Sequence, residues 1–344
     1  MQKWRVWNLL RLPMTAGLLS GVLMLGMPLM WVEGPVVTEA PSLLPSAPRP
    51  VESPPAEPTA RWDEMKRVAV LQEDGTVEEQ SMADYLWSVV AAEMPAAFQP
   101  DALRAQAVCA RTYTVWKGEG RSKHENADIC TDSSCCQAYA TREEAAERWG
   151  EKAELYGEKI RTAVADTDGV ILTYGGAPIQ AVFFSSSAEV TEDAAAVWGQ
   201  SLPYLVSVES PEGEEVPNYR TEVRYTGAET RDLIRAAYPG ADLEGSPAGW
   251  FSNVLYTASG RVASLDVGGV TLSGGGARTL FGLRSAYFRV EAGADEVVFS
   301  VTGYGHGVGL SQYGANAMAK AGRTWEEILT HYYTGVSLER MEEK

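Results

Sequence analysis

The sequence predicts an α+β protein, with one elongated mixed domain behind an N-terminal transmembrane helix. The 344 residues are 45% hydrophobic and 22% charged, which is typical of a folded globular chain and not of a disordered one. Helical and strand-like periodicities follow one another without the regular alternation of a βαβ protein. A long uncharged run near the start of the chain predicts the membrane segment.

That run covers residues 12–32 and, at about 1.5 Å per residue, spans roughly 30 Å of hydrocarbon. Three basic residues precede it and Glu33 follows it, so the positive-inside rule places the N-terminus in the cytoplasm and the remaining chain outside. A cleaved signal peptide is the alternative, but the run ends in Pro-Leu-Met-Trp-Val, a poor cleavage site. We therefore expect a single-pass membrane protein with residues 1–33 as cytoplasmic tip and anchor.

The segment after the anchor, residues 34–60, contains eight prolines and few large apolar side chains. This composition predicts a semi-rigid linker that holds the folded residues 61–344 away from the membrane. The net charge of −17 at pH 7 excludes a nucleic-acid-binding protein, because the chain has no basic excess to displace counterions from phosphates.

Periodicity and end signals predict the secondary structure of the folded part. Helices are predicted over 83–93, 100–117, 142–154, 229–237 and 324–333. Strands are predicted over 68–72, 160–165, 169–174, 178–185, 204–209, 262–267, 287–291 and 296–302. Because helices and strands are interspersed irregularly, α+β is the favoured class.

The first candidate site is Glu93, in the last turn of the helix over 83–93. Ser81 or Asp84 can cap that helix, and Pro95 forces it to end. The unpaired carbonyls at a helix C-terminus and the apolar neighbours both raise the pKa of an acid there. Such a carboxyl suits a general acid, although a frayed surface glutamate is the plain alternative.

The next helix, which begins at Pro100, carries two candidate assisting residues. Arg104 and Arg111 fall on one stripe of this helix and could orient a polar substrate or Glu93. Solvated surface arginines are the alternative explanation.

Three separated segments carry a family resemblance. They are residues 85–113 (YLWSVVAAEMPAAFQPDALRAQAVCARTY), 183–211 (FFSSSAEVTEDAAAVWGQSLPYLVSVESP) and 303–338 (GYGHGVGLSQYGANAMAKAGRTWEEILTHYYTGVSL). Their residues and their order along the chain resemble those of the stage II sporulation protein D family. The resemblance implies a lytic transglycosylase with a glycan-binding cleft, which cuts peptidoglycan glycan strands, preferably those stripped of stem peptides.

The resemblance also implies roles for individual residues. Glu93 matches the family's catalytic glutamate, which protonates the glycosidic oxygen and then takes a proton from the muramic acid 6-hydroxyl to leave a 1,6-anhydro sugar. Arg111 matches a family arginine, whereas Arg104 stands where a lysine is common; both would assist Glu93 or bind glycan.

The implied cellular setting is engulfment during sporulation. The protein would lie in the mother-cell membrane facing the forespore, beside a peptidoglycan amidase and a multispanning membrane protein. A homodimer is compatible with the sequence. The competing function is a non-catalytic peptidoglycan-binding enhancer of an amidase, which would not need an acid at a helix C-terminus.

A compact cysteine cluster is the second candidate site. His124, Cys130, Cys135 and Cys136 offer three thiolates and one imidazole, a closed tetrahedral set that suits structural Zn²⁺. An extracellular disulfide is the alternative, but it would leave one thiol over. Some members of the resembled family carry zinc in this region, with Cys135 in this chain replacing a histidine ligand.

The second segment contributes further candidates. Ser186 lies in a serine run that lacks the G-x-S-x-G context of a nucleophile, so we interpret the run as a turn and glycan-binding surface. Tyr204 is a candidate sugar-stacking residue or a buried strand tyrosine. The family usually has a histidine at Phe184 and a Gly-Gly pair at Ala188-Glu189, so this chain departs from the pattern there.

The third segment places His306 among alternating glycines, which permit close approach of the backbone to a ligand or to another element. His306, Gln312 and Tyr313 could line the glycan groove. A hydrogen-bonded structural histidine is the alternative for His306.

Overall fold

A computed structural model describes residues 61–342, and their architecture confirms the α+β class. The predicted anchor and linker, residues 1–33 and 34–60, lie outside the described residues. Between 61 and 342, no helix combines the length and apolar character that a membrane crossing requires.

The helices are numbered in chain order. They are α1 (Trp62–Met65), α2 (Met82–Glu93), α3 (Pro100–Gly118), α4 (Arg142–Trp149), α5 (Ala153–Asp166), α6 (Ala194–Trp198), α7 (Gly227–Ala237), α8 (Gly274–Leu280), α9 (Gln312–Lys320) and α10 (Trp325–Tyr332).

The strands form small sheets. They are β1 (Arg67–Leu71), β2 (Val77–Ser81), β3 (Ile129–Cys130), β4 (Val170–Tyr174), β5 (Ala177–Pro178), β6 (Phe183–Phe184), β7 (Arg220–Thr226), β8 (Phe251–Tyr256), β9 (Val262–Val267), β10 (Val270–Ser273), β11 (Phe288–Ala292), β12 (Glu296–Thr302), β13 (Leu310–Ser311) and β14 (Ser337–Arg340). The sheet orders are β2-β1-β3, β14-β4-β5, β13-β6, β11-β12-β7 and β10-β9-β8.

The larger hydrophobic core surrounds α3. This helix packs against α2, α5, α9, α10 and β4, and its small residues Ala102, Ala105, Ala107 and Ala110 are fully buried. Small side chains let neighbouring elements approach the helix from several sides at once. The site-bearing helix α2 is thereby fixed against the centre of the fold.

A second hydrophobic core lies within residues 220–302, between the second and third family-like segments. In this region β7 to β12 form two antiparallel three-stranded sheets with α7 and α8. Phe281 and Phe299 lie at its centre with ring centroids 4.6 Å apart. The catalytic-site candidates lie outside this core.

The predicted helices at 83–93 and 100–117 are confirmed nearly to the residue. The Ser81 side chain caps α2 by accepting a hydrogen bond from the Asp84 backbone N–H, and Pro100 is the first residue of α3. Local capping and proline chemistry therefore decide both helix starts.

Two predictions in the region 142–166 are wrong. The helix predicted over 142–154 ends at Trp149, because Gly150 adopts φ +54°. The strand predicted over 160–165 belongs to α5, where Ile160, Ala163 and Val164 are buried at helical spacing. Short apolar runs fit either period, and packing against α2 and α3 selects the helix.

The strand predicted over 204–209 is also absent as a strand. Its backbone instead makes isolated bonds, such as those from Thr191 N–H to Val208 O and from Ala194 N–H to Leu205 O. The segment predicted as one strand over 178–185 contains only the short β5 and β6.

Arg111 takes part in a buried ion pair at the base of the larger core. Its guanidinium donates to both carboxylate oxygens of Asp63, at 2.8 and 2.6 Å, and the side chains are 0% and 3% exposed. Further N–H groups donate to the carbonyls of Val164 and Val170. Arg111 thus joins α3 to α1, the end of α5 and β4.

We predict that Arg111→Met lowers the free energy of unfolding by about 3–5 kcal/mol, because it leaves the Asp63 carboxylate buried and unpaired. Arg104→Met is the matched control on the same helix, since its ion pairs are partly exposed and should contribute less than about 1 kcal/mol. Urea unfolding measures both. Equal costs for the two variants would contradict a structural role for the Arg111 pair.

Candidate functional site

Glu93, at the C-terminus of α2, lines a cleft of about 410 Å³. The walls come from the end of α2 and the loop after it, from α4 and α5, and from two segments distant in sequence. The residues lining the cleft are Ala91, Ala92, Glu93, Met94, Pro95, Ala96, Ala97, Arg148, Trp149, Tyr156, Ser185, Gln312 and Tyr313.

The Glu93 carboxyl is held in a largely apolar setting. Burial raises its pKa above the ordinary value, as the sequence predicts. The backbone N–H of Ala138 donates to Glu93 Oε1 at 2.7 Å, and this bond and the Gln312 side chain offset part of the rise because they favour the carboxylate. The carboxyl is therefore oriented and also biased toward holding its proton.

The opposite wall combines the second and third family-like segments. The Tyr313 backbone N–H donates to Ser185 O at 3.0 Å, and the Tyr313 ring packs edge-on against Phe98 at 4.9 Å. Gln312 begins α9 and reaches Gln106 on α3 at 3.4 Å. Three segments far apart in sequence thus meet at one acid.

A buried carboxylate that sequence reasoning missed holds this wall in place. Glu212 accepts hydrogen bonds from the Ser187 backbone N–H and the Ser210 hydroxyl, both at 2.6 Å, and from the Ser311 hydroxyl. Ser311 is also the N-cap of α9. A glutamate in an acidic loop gives no local signal of such a role.

The two candidate assisting arginines lie away from the cleft. Arg104 pairs with Asp101 at 3.2 Å and with Asp166 at 2.6 Å, on the surface of α3 and α5. Arg111 is the buried partner of Asp63. The helical stripe that joins them in sequence therefore does not lead to Glu93.

Three further predicted residues, Tyr204, Ser186 and His306, also lie outside the cleft lining. The Tyr204 hydroxyl accepts from the Gln180 backbone N–H at 3.2 Å, and its ring packs near Tyr174 at 5.7 Å. Ser186 is buried and exchanges backbone hydrogen bonds with Tyr304. Tyr204 therefore packs away from the cleft, whereas Ser186 follows the lining residue Ser185.

His306 has both ring nitrogens occupied. Nδ1 accepts from the Val308 backbone N–H at 3.1 Å, so Nε2 carries the proton that it donates to Phe183 O at 3.0 Å. Burial lowers the pKa of His306 to about 4, which leaves the ring neutral at neutral pH. The Phe184 ring packs against this ring, with centroids 5.6 Å apart.

The cleft contains three side chains that the sequence patterns did not indicate: Arg148, Trp149 and Tyr156. Trp149 packs edge-on against Tyr156, with centroids 5.9 Å apart. They lie at the end of α4 and in α5, where the predicted boundaries were wrong. Gly150, which ends α4, is the sequence signal from which the positions of these three side chains could have been predicted.

The four predicted metal ligands come together. Their ligand atoms lie within 4.8 Å of one another, and no disulfide joins these cysteines. His124 Nε2 is 3.7 Å from the sulfurs of both Cys135 and Cys136, which are 3.8 Å apart. Two sulfurs bound tetrahedrally at about 2.3 Å from zinc are separated by about 3.8 Å, so the donor set fits that ion.

A larger opening of about 840 Å³ lies elsewhere, between α9, α10 and the loops around Glu189 and Glu209. None of the predicted catalytic or metal residues lines it. Size alone therefore does not single out the cleft that contains Glu93.

Comparisons with known proteins agree with the resemblance. A family model described as Stage II sporulation protein matches residues 72–174. The stage II sporulation protein D of Bacillus subtilis (strain 168) is 39% identical over 265 residues, 76% of this chain and 76% of that protein. The protein of that name from Bacillus amyloliquefaciens is 35% identical over 285 residues, 82% of this chain and 81% of that protein.

A more distant relative carries a different name. The amidase enhancer of Bacillus subtilis (strain 168) is 26% identical over 311 residues, which cover 74% of this chain and 40% of that protein. Given the identity to the two sporulation proteins over most of their length, the chain belongs to the stage II sporulation protein D family.

Proposed function

We propose that this protein is a lytic transglycosylase that cleaves peptidoglycan glycan strands, with Glu93 as its acid and base. One observation carries the proposal: among the described residues that line the cleft, Glu93 is the only carboxylate. Most glycoside hydrolases need two carboxyl groups, one for the leaving oxygen and one for water or the sugar. A single carboxyl suffices when the substrate's own hydroxyl is the nucleophile.

The reaction proceeds through two proton transfers at Glu93. The protonated carboxyl gives its proton to the glycosidic oxygen, and the bond between that oxygen and C1 of the muramic acid breaks. The resulting carboxylate takes the proton of the muramic acid 6-hydroxyl, whose oxygen bonds to C1. The products are a 1,6-anhydro-muramic end and a new sugar hydroxyl, and no water is consumed.

The surroundings of Glu93 suit both halves of this cycle. Burial favours the protonated form before the first transfer. The Ala138 N–H, 2.7 Å from Oε1, stabilises the carboxylate after it. The aromatic side chains of Trp149, Tyr156 and Tyr313 offer apolar faces for sugar rings.

A non-catalytic enhancer of an amidase is the second candidate function. The 26% identity to a protein named amidase enhancer favours it. Such a binder would use the same cleft for the glycan strand but would not require an acid with a raised pKa. The chemistry of Glu93 therefore favours the enzyme.

The cellular setting follows the relatives that are named for sporulation. We place the protein in the mother-cell membrane, anchored by residues 12–32, with its folded part facing the forespore. It would act on peptidoglycan during engulfment, beside an amidase and a multispanning membrane protein. The apolar run and the family membership support this assignment.

We also propose structural Zn²⁺ at His124, Cys130, Cys135 and Cys136. Bound zinc would supply four bonds that fix a loop with few core-forming side chains. The cluster lies just before Ala138, whose N–H orients Glu93. The four protein ligands leave no position for a catalytic water.

The products test the proposed reaction. The full-length chain in mild detergent should release 1,6-anhydro-muramic ends from peptide-free strands, and Glu93→Gln should slow this by about 10²–10⁴-fold. Glu147→Gln, an exposed glutamate on α4, is the matched control and should retain activity. Mass spectrometry identifies the ends. Reducing ends would instead mean a hydrolase, and binding without cleavage would favour the amidase enhancer.

The raised pKa of Glu93 also predicts a pH-dependent stability difference. Below the unfolded pKa both states hold the proton and the shift does not affect stability. As pH rises from the unfolded pKa to the raised folded pKa, the unfolded state ionises first and the native state loses stability. Glu93→Gln should therefore melt at a higher temperature than the wild type at pH 7, and the gap should close below about pH 4. A lower melting temperature at pH 7 would contradict a raised pKa.

Zinc binding is tested by metal analysis. We expect about one zinc per chain by mass spectrometry, and a lower melting temperature after chelation. Cys135→Ser should lose the metal, whereas Cys109→Ser should keep it, because Cys109 lies in α3 beside the Tyr333 hydroxyl. A metal-free protein with a disulfide among residues 130–136 would refute the site.

A further inference from the structure

The cleft contains one cationic side chain among its described residues, Arg148 on the last turn of α4. Its Nη2–H donates to the carbonyl of Ala91 at 3.0 Å. Ala91 belongs to the same final turn of α2 that carries Glu93. The exposed Arg148 side chain is thus hydrogen-bonded to the helix turn that presents the acid.

Arg148 has no carboxylate partner within the described part of the chain. Arg104 and Arg111 pair with nearby acids, and so does Arg142 at the start of the same helix. In a chain of net charge −17, an arginine that faces a cleft with no paired acid has donors available for a ligand. Among the described residues no hydrogen bond or ion pair joins Arg148 to Glu93, whose carboxyl accepts from the Ala138 N–H instead.

The substrate supplies a matching anion. Each muramic acid carries a lactyl group at its 3-position, and the stem peptide is joined to the lactyl carboxyl as an amide. Removal of the peptide converts this neutral amide into a carboxylate. A guanidinium distinguishes the two, because it forms charge-assisted, bidentate hydrogen bonds with a carboxylate and cannot do so with an amide.

We propose that Arg148 binds the lactyl carboxylate of a peptide-free muramic acid and so makes this cleft selective for stripped glycan strands. Trp149, the next residue, and Tyr156 would contact the sugar rings while the Arg148 guanidinium binds the lactyl carboxylate. Arg148 is therefore a specificity-determining residue, and this role rests on the proposed transglycosylase function. Its position next to the acid links recognition of the carboxylate to placement of the scissile bond.

The experiment compares two forms of the same strands. Peptide-free strands are used directly, or after their lactyl carboxyls have been converted to methylamides with carbodiimide and methylamine. The full-length wild type in mild detergent should prefer the free acid by about tenfold in kcat/KM, mainly through KM. Arg148→Gln should reduce that preference to near one by losing activity on the free acid alone.

Two further variants make the comparison specific. Arg148→Lys keeps the charge without the planar fork and should retain part of the preference. Arg161→Gln removes an exposed arginine that pairs with Glu158 on α5, outside the cleft lining, and should retain all of it. An Arg148→Gln enzyme that keeps the full preference, or that loses activity equally on both strand types, would overturn the proposal.

Binding separates this inference from the proposed function. Affinity for both strand types is measured by calorimetry in the Glu93→Gln background, with and without Arg148→Gln. If the wild type releases no anhydro products, the proposed function fails, and this binding comparison still decides the role of Arg148. If Glu93→Gln and the double variant Glu93→Gln/Arg148→Gln bind the free-acid strands with equal affinity, the proposed role of Arg148 is refuted.

Discussion

The buried carboxylate of Glu212 is the interaction on which the candidate site depends. It is 3% exposed and receives hydrogen bonds from Ser187, Ser210 and Ser311, which come from three separate stretches of the chain. A carboxylate out of water is stable only when its oxygens are satisfied, so these stretches must stay together. They carry Ser185 and Gln312, which form the wall opposite Glu93.

The close packing around the Glu212 carboxylate also explains why residue 314 is a glycine. A Cβ on Gly314 would lie 2.0 Å from the Tyr332 hydroxyl and 2.6 Å from Glu212 Oε2, so no other residue fits there without displacing the network. The first turn of α9 can therefore approach Glu212 closely. Similar polar bonds join the loop after β8 to the segment before α6, since Thr257 and Ser259 donate to Glu192 at 2.6 and 2.5 Å.

Three arginines, Arg104, Arg111 and Arg148, have different roles because the fold places them in different surroundings. Arg111 joins buried elements, Arg104 lies in a surface ion pair, and Arg148 lines the cleft and forms no ion pair within residues 61–342. The first two assignments follow from the carboxylates that the fold brings within reach, Asp63 for Arg111 and Asp101 and Asp166 for Arg104. On a helical wheel Arg104 and Arg111 share a face of α3, but the Arg111 end of that face is buried and the Arg104 end reaches the surface.

The sequence by itself determined the α+β class, the positions of α2 and α3, and the acid at the end of α2, because caps, prolines and helical periodicity act within a few residues. It also grouped His124 with the three cysteines, since short spacing limits how far they can separate. Only the tertiary structure decided that Arg148 lines the cleft, that Glu212 holds its far wall and that residues 160–165 are helical. Those outcomes depend on contacts between segments distant in the chain, and no local pattern records which segments will meet.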